Sequence, residues 1–225
     1  MTQMTSEAGP LVRCIDAAHT FGVGPTAVVA VHGASCQVVP KDRIALAGPS
    51  GSGKSTLLHM LAGLEQPTAG TVEWPGLNPG RVGEVGVILQ GPSLIPALDV
   101  SENIALPLVL EGLDAPEVAA RVDHAIDQLG LRSMAHQLPE ELSGGQSQRV
   151  AIARVLAQRP RLILADEPTG QLDHDTGQHV IDTLLQALDL LGAALVITTH
   201  DLTVIRRLER IWFMHDGRLA LEGTL

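Results

Sequence analysis

A glycine-rich string at residues 48–55, GPSGSGKS, constrains this chain more than any other feature of its sequence. An apolar segment at 44–47 runs directly into the string, and a helical pattern follows it. The glycines allow backbone N–H groups to turn inward around phosphate oxygens, and a helix N-terminus adds its positive dipole end. The pattern G-x-x-x-x-G-K-[ST] between a strand and a helix predicts the phosphate loop of a P-loop nucleoside triphosphatase. The alternative, a glycine-rich turn with an incidental lysine, does not account for this context.

Each side chain at the end of the string has a distinct expected role. Lys54 carries a point charge suited to the β- and γ-phosphates, and the Ser55 hydroxyl suits Mg²⁺, which prefers oxygen donors completed by phosphates and waters. The candidate nucleotide contacts in this segment are Gly48, Pro49, Ser50, Gly51, Ser52, Gly53, Lys54, Ser55 and Thr56.

Two adjacent acids, Asp166 and Glu167, follow the apolar run LILA at 162–165. Such a run predicts a parallel strand that is buried on both faces. A strand that delivers two carboxylates beside a phosphate loop allows Asp166 to hold a metal and Glu167 to polarise the attacking water as a general base. The alternative is a pair of solvated acids at a strand end.

Composition excludes several classes of partner. The formal net charge is −10, which disfavours nucleic acid and anionic lipid, since both require Lys and Arg for neutralisation. No secretory signal is visible, and no apolar run reaches the ~18 residues that a membrane-spanning helix needs, so we expect no direct membrane insertion. Two cysteines, Cys14 and Cys36, are too few for a disulfide framework and are expected to be buried free thiols.

The order of patterns predicts an α/β fold with a mixed sheet. Short β-prone segments precede the glycine-rich string, and capping-box spacings at Asp99 and Asp114 predict helices between two β-containing parts. We predict a disordered tail at 1–10, and a RecA-like P-loop core with an N-terminal antiparallel β part at 11–91 and 137–225. A helical subdomain inserted at 92–136 would end near the LSGGQ string described next.

The string LSGGQ at 142–146 lies between the phosphate loop and the acidic pair, and it resembles the signature of ABC-transporter ATPases. Four further landmarks follow the order of that family. Gln90 resembles the Q-loop glutamine, 168–173 resembles the D-loop, and His200 after VITT resembles the switch histidine. Phe21 stands where the family stacks an aromatic ring on adenine.

The resemblance covers about residues 11–222 and implies two subunits that sandwich two ATP molecules. It implies that Gln90, with Ser55 and Asp166, holds Mg²⁺, and that His200, with Glu167, Gln90 and Lys54, serves the hydrolytic reaction. It further implies that the opposite subunit supplies a second set of contacts in trans, namely Ser143, Gly144, Gly145, Gln146 and Asp173.

Two departures from the family pattern are visible. About 20 residues separate Gly70 from Gln90, fewer than the family leads us to expect, while every phosphate-contacting motif remains. The chain also has no tyrosine, so adenine stacking would fall to Phe21, for which packing in the core is the alternative.

The segments ENIALPLVLEG and ADEPTGQLD resemble the ATPases of lipoprotein-release, macrolide-export and FtsE-like cell-division systems. This resemblance implies a homodimeric ATPase at the cytoplasmic face of the inner membrane, bound to a permease of the FtsX or MacB type and active in export or extrusion. One alternative is an FtsE-like ATPase that transmits force to a cell-wall process. A second alternative is a soluble ABC ATPase of DNA repair or translation.

Overall fold

The computed structural model describes residues 9–78, 83–170 and 172–222. Most of the predicted N-terminal tail, Gln171 of the D-loop-like segment, part of the short stretch between Gly70 and Gln90, and the last residues of the 137–225 segment lie outside these ranges.

Two sheets carry the fold. The first is antiparallel, with strand order β2-β1-β4, and consists of β1 (Val12–Phe21), β2 (Val28–Val38) and β4 (Ala69–Glu73). The second has six strands in the order β5-β6-β7-β3-β8-β9. Its neighbours pair in parallel except β8 with β9, which form the hairpin that Asp216-Gly217 predicts. These strands are β3 (Arg43–Ala47), β5 (Val85–Ile88), β6 (Leu162–Asp166), β7 (Ala194–Thr198), β8 (Arg210–His215) and β9 (Arg218–Glu222). The mixed sheet and the antiparallel N-terminal part confirm the predicted fold class.

Among the described residues, every α-helix except the first, whose N-cap is Gly53, begins where a side chain satisfies one of its first backbone N–H groups. Asp99 and Glu102 form a complete capping box, and Asp114 accepts a hydrogen bond from Glu117 N, as their spacing predicts. The helices are α1 (Lys54–Leu61), α2 (Val100–Leu110), α3 (Ala115–Gln128), α4 (Gly144–Ala157), α5 (His174–Leu191) and α6 (Leu202–Ile205). α2, α3 and α4 pack on one another, and α4 also contacts β5 and α5.

The periodicity of apolar residues predicts α5 from residue 177, but the helix begins at His174. The reason is local: Asp173 has extended backbone geometry and accepts a hydrogen bond from Thr176 N at 3.0 Å. A polar N-cap extends a helix beyond its apolar stripe, and that stripe alone does not reveal it.

Cys14 and Cys36 are opposite each other in the β1–β2 ladder, and both are buried free thiols, as predicted. Strands β6 and β7 are buried along their whole length, because both faces of this parallel sheet are covered.

The topology brings the predicted motifs to one edge of the larger sheet. β6, β7 and β3 are parallel neighbours; the acidic pair lies at the carboxyl end of β6, His200 lies just after that of β7, and the glycine-rich loop follows that of β3. Ligands of open α/β sheets bind at this carboxyl edge.

Candidate active site

The glycine-rich loop needs glycine at two positions because other chain segments press against it. Gly48 has φ +147°, and an added Cβ would lie 2.0 Å from the carbonyl oxygen of Met214. Gly53 has φ +96°, and its Cβ would lie 2.1 Å from the carbonyl oxygen of Ala30. At Gly51 an added Cβ would meet nothing within 4 Å, so this part of the loop faces open space.

Lys54 is almost completely buried at the start of α1, with 6% of its surface exposed. Its Nζ donates to the carbonyl oxygens of Gly48, at 3.0 Å, and of Pro49, at 2.8 Å. These two contacts hold the ammonium inside the curve of the loop. Buried ammonium groups require such partners, and an anionic phosphate is a stronger one.

An open cleft of about 260 Å³ lies over the loop. Gln90 and Glu167, which are far apart in sequence, both face it. Lys54 and Ser55 line the same cleft. The residues that line the cleft are Ala30, Ser50, Gly51, Gly53, Lys54, Ser55, Thr56, Gln90 and Glu167.

Asp166 and Glu167 differ sharply in environment. Asp166 is buried, with 6% exposed, and its Oδ1 accepts a 2.6 Å hydrogen bond from the Thr198 hydroxyl. Glu167 N donates to the same hydroxyl oxygen at 2.9 Å, while the Glu167 side chain faces the cleft. Glu167 also has φ +42°, a region that non-glycine residues rarely occupy. The pair is therefore not two solvated acids, because Thr198 on β7 fixes both residues.

His200 follows β7 and lies near Glu167. Its Nδ1 is 3.8 Å from Glu167 Oε1, and three quarters of the side chain (76%) is exposed. Asp201, next in the chain, caps α6 through Thr203, and these hydrogen bonds hold the pKa of Asp201 below its usual range. The histidine is thus near the predicted base, on backbone anchored at both sides.

The LSGGQ string opens α4 and does not line the cleft of its own chain. Ser143 is the N-cap: its hydroxyl accepts from Gln146 N at 3.2 Å, and Gln146 Oε1 accepts from Ser143 N at 2.7 Å. Ser143 and Gly144 are exposed, and an added Cβ on Gly145 would lie 3.2 Å from Leu172. A helix N-terminus with exposed N–H groups is a favourable anion site.

Asp173 is likewise outside the cleft, at the N-terminus of α5. Hydrogen bonds from Thr176, first from its backbone N–H, lower the pKa of Asp173. The family resemblance implies a contact of Asp173 in trans, and within its own chain Asp173 caps α5.

Phe21 ends β1 and is half-exposed, at 47%, so the core-packing alternative is wrong. Its cross-strand partner is Val28, two residues before Ala30, which lines the cleft. The ring of His19 contacts the Phe21 ring edge-on, with centroids 4.4 Å apart.

The predicted metal ligands offer oxygen atoms only: the Ser55 hydroxyl, the Gln90 amide and the Asp166 carboxylate. Ser55 and Gln90 line the same cleft, and Asp166 immediately precedes Glu167, which also lines it. Among the described residues, no group of three or more His, Cys, Asp or Glu side chains could hold a metal by itself. A donor set of this kind fits Mg²⁺, whose shell phosphates and waters complete.

Sequence reasoning missed three residues with clear structural roles here. Thr198 fixes the acidic pair, Ala30 presses on Gly53, and His19 contacts Phe21. The threonines before His200 were a usable signal for Thr198. No local pattern marks the other two, because both contacts join distant segments.

A family model described as ABC transporter matches residues 31–170, which include the glycine-rich loop, Gln90, the LSGGQ string and the acidic pair. The chain belongs to the ABC transporter family. It is an ATP-binding cassette of the ATP-hydrolysing kind, as the motifs predict.

Relatives of this ABC cassette include proteins of the predicted subfamily. It is 39% identical over 206 residues to the lipoprotein-releasing system ATP-binding protein LolD of Legionella pneumophila (strain Lens), covering 87% of this chain and 91% of the relative. It is 41% identical over 202 residues to LolD 2 of Caulobacter vibrioides, covering 85% and 89%.

A solved structure has the same fold over nearly the whole ABC cassette. The ATP-binding cassette MJ0796, a dimer in a post-hydrolysis state bound to ADP and Pi, superposes with a TM-score of 0.88 at 33% identity. The superposition covers 95% of this chain and 98% of that one.

Proposed function

We propose that this ABC cassette powers a membrane permease of the lipoprotein-releasing type through ATP-driven closure of a homodimer. The observation that carries the proposal is the shared cleft, which Lys54, Ser55, Gln90 and Glu167 line together. The relatives' names, which refer to a lipoprotein-releasing system, support the class of permease, and the subfamily resemblance supports export or extrusion as the direction.

The side chains of the cleft divide the work of hydrolysis. N–H groups of the loop and the Lys54 ammonium bind and orient the phosphates of ATP. Glu167 takes a proton from the attacking water, and its position depends on Thr198 behind it. His200 and Gln90 orient that water. Phe21 offers its exposed ring to adenine.

Ser55, Gln90 and Asp166 would hold Mg²⁺. When bound, Mg²⁺ neutralises charge that develops on the phosphates. The fixed, buried position of Asp166 favours this role, because its carboxylate is already oriented by Thr198.

Dimer closure would complete each nucleotide site from the opposite subunit. The exposed helix N-terminus at Ser143, Gly144 and Gly145, with Gln146 and Asp173 nearby, would then meet the nucleotide bound by the partner. Two observations support this arrangement: these residues do not line the cleft of their own chain, and MJ0796 forms a dimer.

We propose attachment to the cytoplasmic face of the inner membrane through the permease. Among the described residues, the structure has no helix with both the length and the apolar character to cross a bilayer. The relatives favour a permease of lipoprotein-releasing systems and not specifically one of the FtsX or MacB type. We further propose that 92–136 is a helical subdomain inserted between core segments 11–91 and 137–225, with a disordered tail at 1–10.

The test is to express tagged Glu167→Gln protein in its native cell and to identify the proteins that co-purify from detergent-solubilised membranes in ATP. This variant keeps the phosphate contacts and lacks the general base, so it should hold the closed dimer. We expect a polytopic permease in about equal amount. The control is Glu167→Gln combined with Lys54→Ala, which should lose ATP-dependent recovery.

Recovery of soluble proteins alone, with ATP-dependent dimers still forming, would overturn the permease proposal and favour the soluble class of ABC ATPase. If the permease is recovered, reconstituted vesicles that contain an acylated lipoprotein test the cargo. ATP-dependent release of the lipoprotein supports the proposal. Turnover without release would favour FtsE-like force transmission.

A further inference from the structure

His19 is a buried histidine directly beside the aromatic residue assigned to adenine. It lies on β1, two residues before Phe21, with only 5% of its surface exposed. The two ring centroids are 4.4 Å apart and the planes are inclined by 66°, an edge-to-face contact. Such contacts have a preferred geometry, so one ring restrains the orientation of the other.

The His19 ring is itself held by the connection that follows α1. Its Nδ1 donates to the carbonyl oxygen of Gln66 at 2.8 Å, and its Nε2 lies 3.4 Å from Glu65 Oε1. Both partners belong to the connection between α1 and β4, and Thr68 N in the same connection donates to Ala18 O at 2.7 Å. The hydrogen bond at Nδ1 restrains the buried ring, which can therefore support its neighbour.

The contacts of His19 connect the adenine side of the nucleotide site to its phosphate side. Glu65 and Gln66 follow α1, and the first residue of that helix is Lys54. Phe21 belongs to the smaller sheet, while the phosphate loop follows β3 of the larger sheet. His19 therefore contacts Phe21 and, through Glu65 and Gln66, the same helix that begins in the phosphate loop.

We propose that His19 is a positioning residue for the adenine base: it holds the half-exposed Phe21 ring as a preformed platform, in register with the phosphate loop. This inference rests on the proposed role of Phe21 in ATP binding. Preorganisation of a contact ring raises affinity, because the ordering cost is met before the ligand arrives. The competing explanation is that His19 only ties β1 to the α1–β4 connection.

The experiment compares two ligands that share phosphates and differ in the base. The dissociation constants of ATP and of inorganic tripolyphosphate are measured by calorimetry on the full chain, together with kcat for ATP. The variants are His19→Leu, which removes ring and donors; His19→Gln, which keeps a donor for Gln66; Phe21→Leu; and the double variant. His124→Leu, at an exposed histidine of α3, is the matched control.

We expect both His19 variants to weaken ATP binding about 2- to 12-fold, the range for one aromatic pair, with tripolyphosphate affinity and kcat unchanged. Phe21→Leu should weaken ATP binding by about 5- to 160-fold, as loss of base stacking does. The double variant should be no weaker than Phe21→Leu, because His19 acts through that ring. His19→Gln should retain more thermal stability than His19→Leu while losing the same ATP affinity.

Three results would overturn the inference: equal loss of tripolyphosphate affinity, full additivity with Phe21→Leu, or normal ATP affinity in His19→Gln. Normal ATP affinity in His19→Gln would mean that His19 only ties β1 to the α1–β4 connection. If Phe21→Leu binds ATP normally while Lys54→Ala does not, the proposed Phe21–adenine contact is wrong and this inference fails with it. The proposed ATPase function is then unaffected. If the unaltered chain binds no ATP, the proposed function itself fails.

Discussion

The hydroxyl of Thr198 is the contact whose removal tests the catalytic geometry most directly. Thr198 is fully buried, donates to Asp166 Oδ1 at 2.6 Å and accepts from Glu167 N at 2.9 Å. Thr198→Val keeps the shape of the side chain and deletes both contacts. One partner is a buried carboxylate, and a hydrogen bond to a charged group contributes about 1.5–3 kcal/mol to stability.

We therefore expect the free energy of unfolding to fall by about 2 kcal/mol, since Glu167 N retains its contact with Thr198 O at 3.2 Å. For a domain of this size that corresponds to a fall in Tm of about 4–8 °C. We also expect kcat to fall about 10- to 100-fold, because Glu167 and Asp166 lose the group that orients them. ATP affinity should change little, since the phosphate loop is untouched.

Denaturant unfolding and steady-state ATPase kinetics measure the two effects. The matched control is Thr199→Val: Thr199 is also buried, but within the described part of the chain its hydroxyl accepts a single backbone N–H, that of Asp201 at 3.0 Å. Thr199→Val should lower the free energy of unfolding by about 1 kcal/mol and leave kcat within about twofold of the value for the unaltered chain. Thr198→Ser should recover most of the turnover. If Thr198→Val and Thr199→Val match in both stability and kcat, the assigned role of Thr198 is wrong.

Four further changes test other parts of the site. Lys54→Ala should weaken ATP binding at least ~10-fold in calorimetry by removing a charge-assisted phosphate contact, and unchanged affinity would contradict its role. Gly53→Ala should destabilise the chain by more than ~1 kcal/mol in urea unfolding, because its Cβ would lie 2.1 Å from Ala30 O at φ +96°; Gly144→Ala, where an added Cβ meets nothing within 4 Å, is the control. Ser143→Arg should abolish ATP-dependent dimers in size-exclusion chromatography of Glu167→Gln protein while the monomer still binds ATP; dimers that persist would refute the in-trans assignment. The pKa of Asp173 is lowered in the folded state by Thr176 N–H, so its stabilising effect is present above ~pH 4, the ordinary aspartate pKa, and is lost as pH falls through the lower folded value. Asp173→Asn should make the free energy of unfolding depend less on pH in that window. An unchanged pH dependence would contradict a contribution of the Asp173 cap to stability.

The sequence by itself determined the class of chemistry and most of the secondary structure. GPSGSGKS, the LILA run before Asp166 and the LSGGQ string are local, because each role needs neighbouring residues in one backbone conformation. Capping residues such as Asp99 and Asp114 likewise predict their helices, since the cap contacts its own first turn.

The tertiary structure alone decided how these segments meet. Strand order β6-β7-β3 brings Thr198 to the acidic pair, which precedes it by more than 30 residues, and β2 brings Ala30 O against Gly53. It also exposes Phe21 and buries His19, although the two are separated by one residue on the same strand. Residue type and periodicity carry no information about such pairings, because strand order and packing between sheets depend on the whole chain.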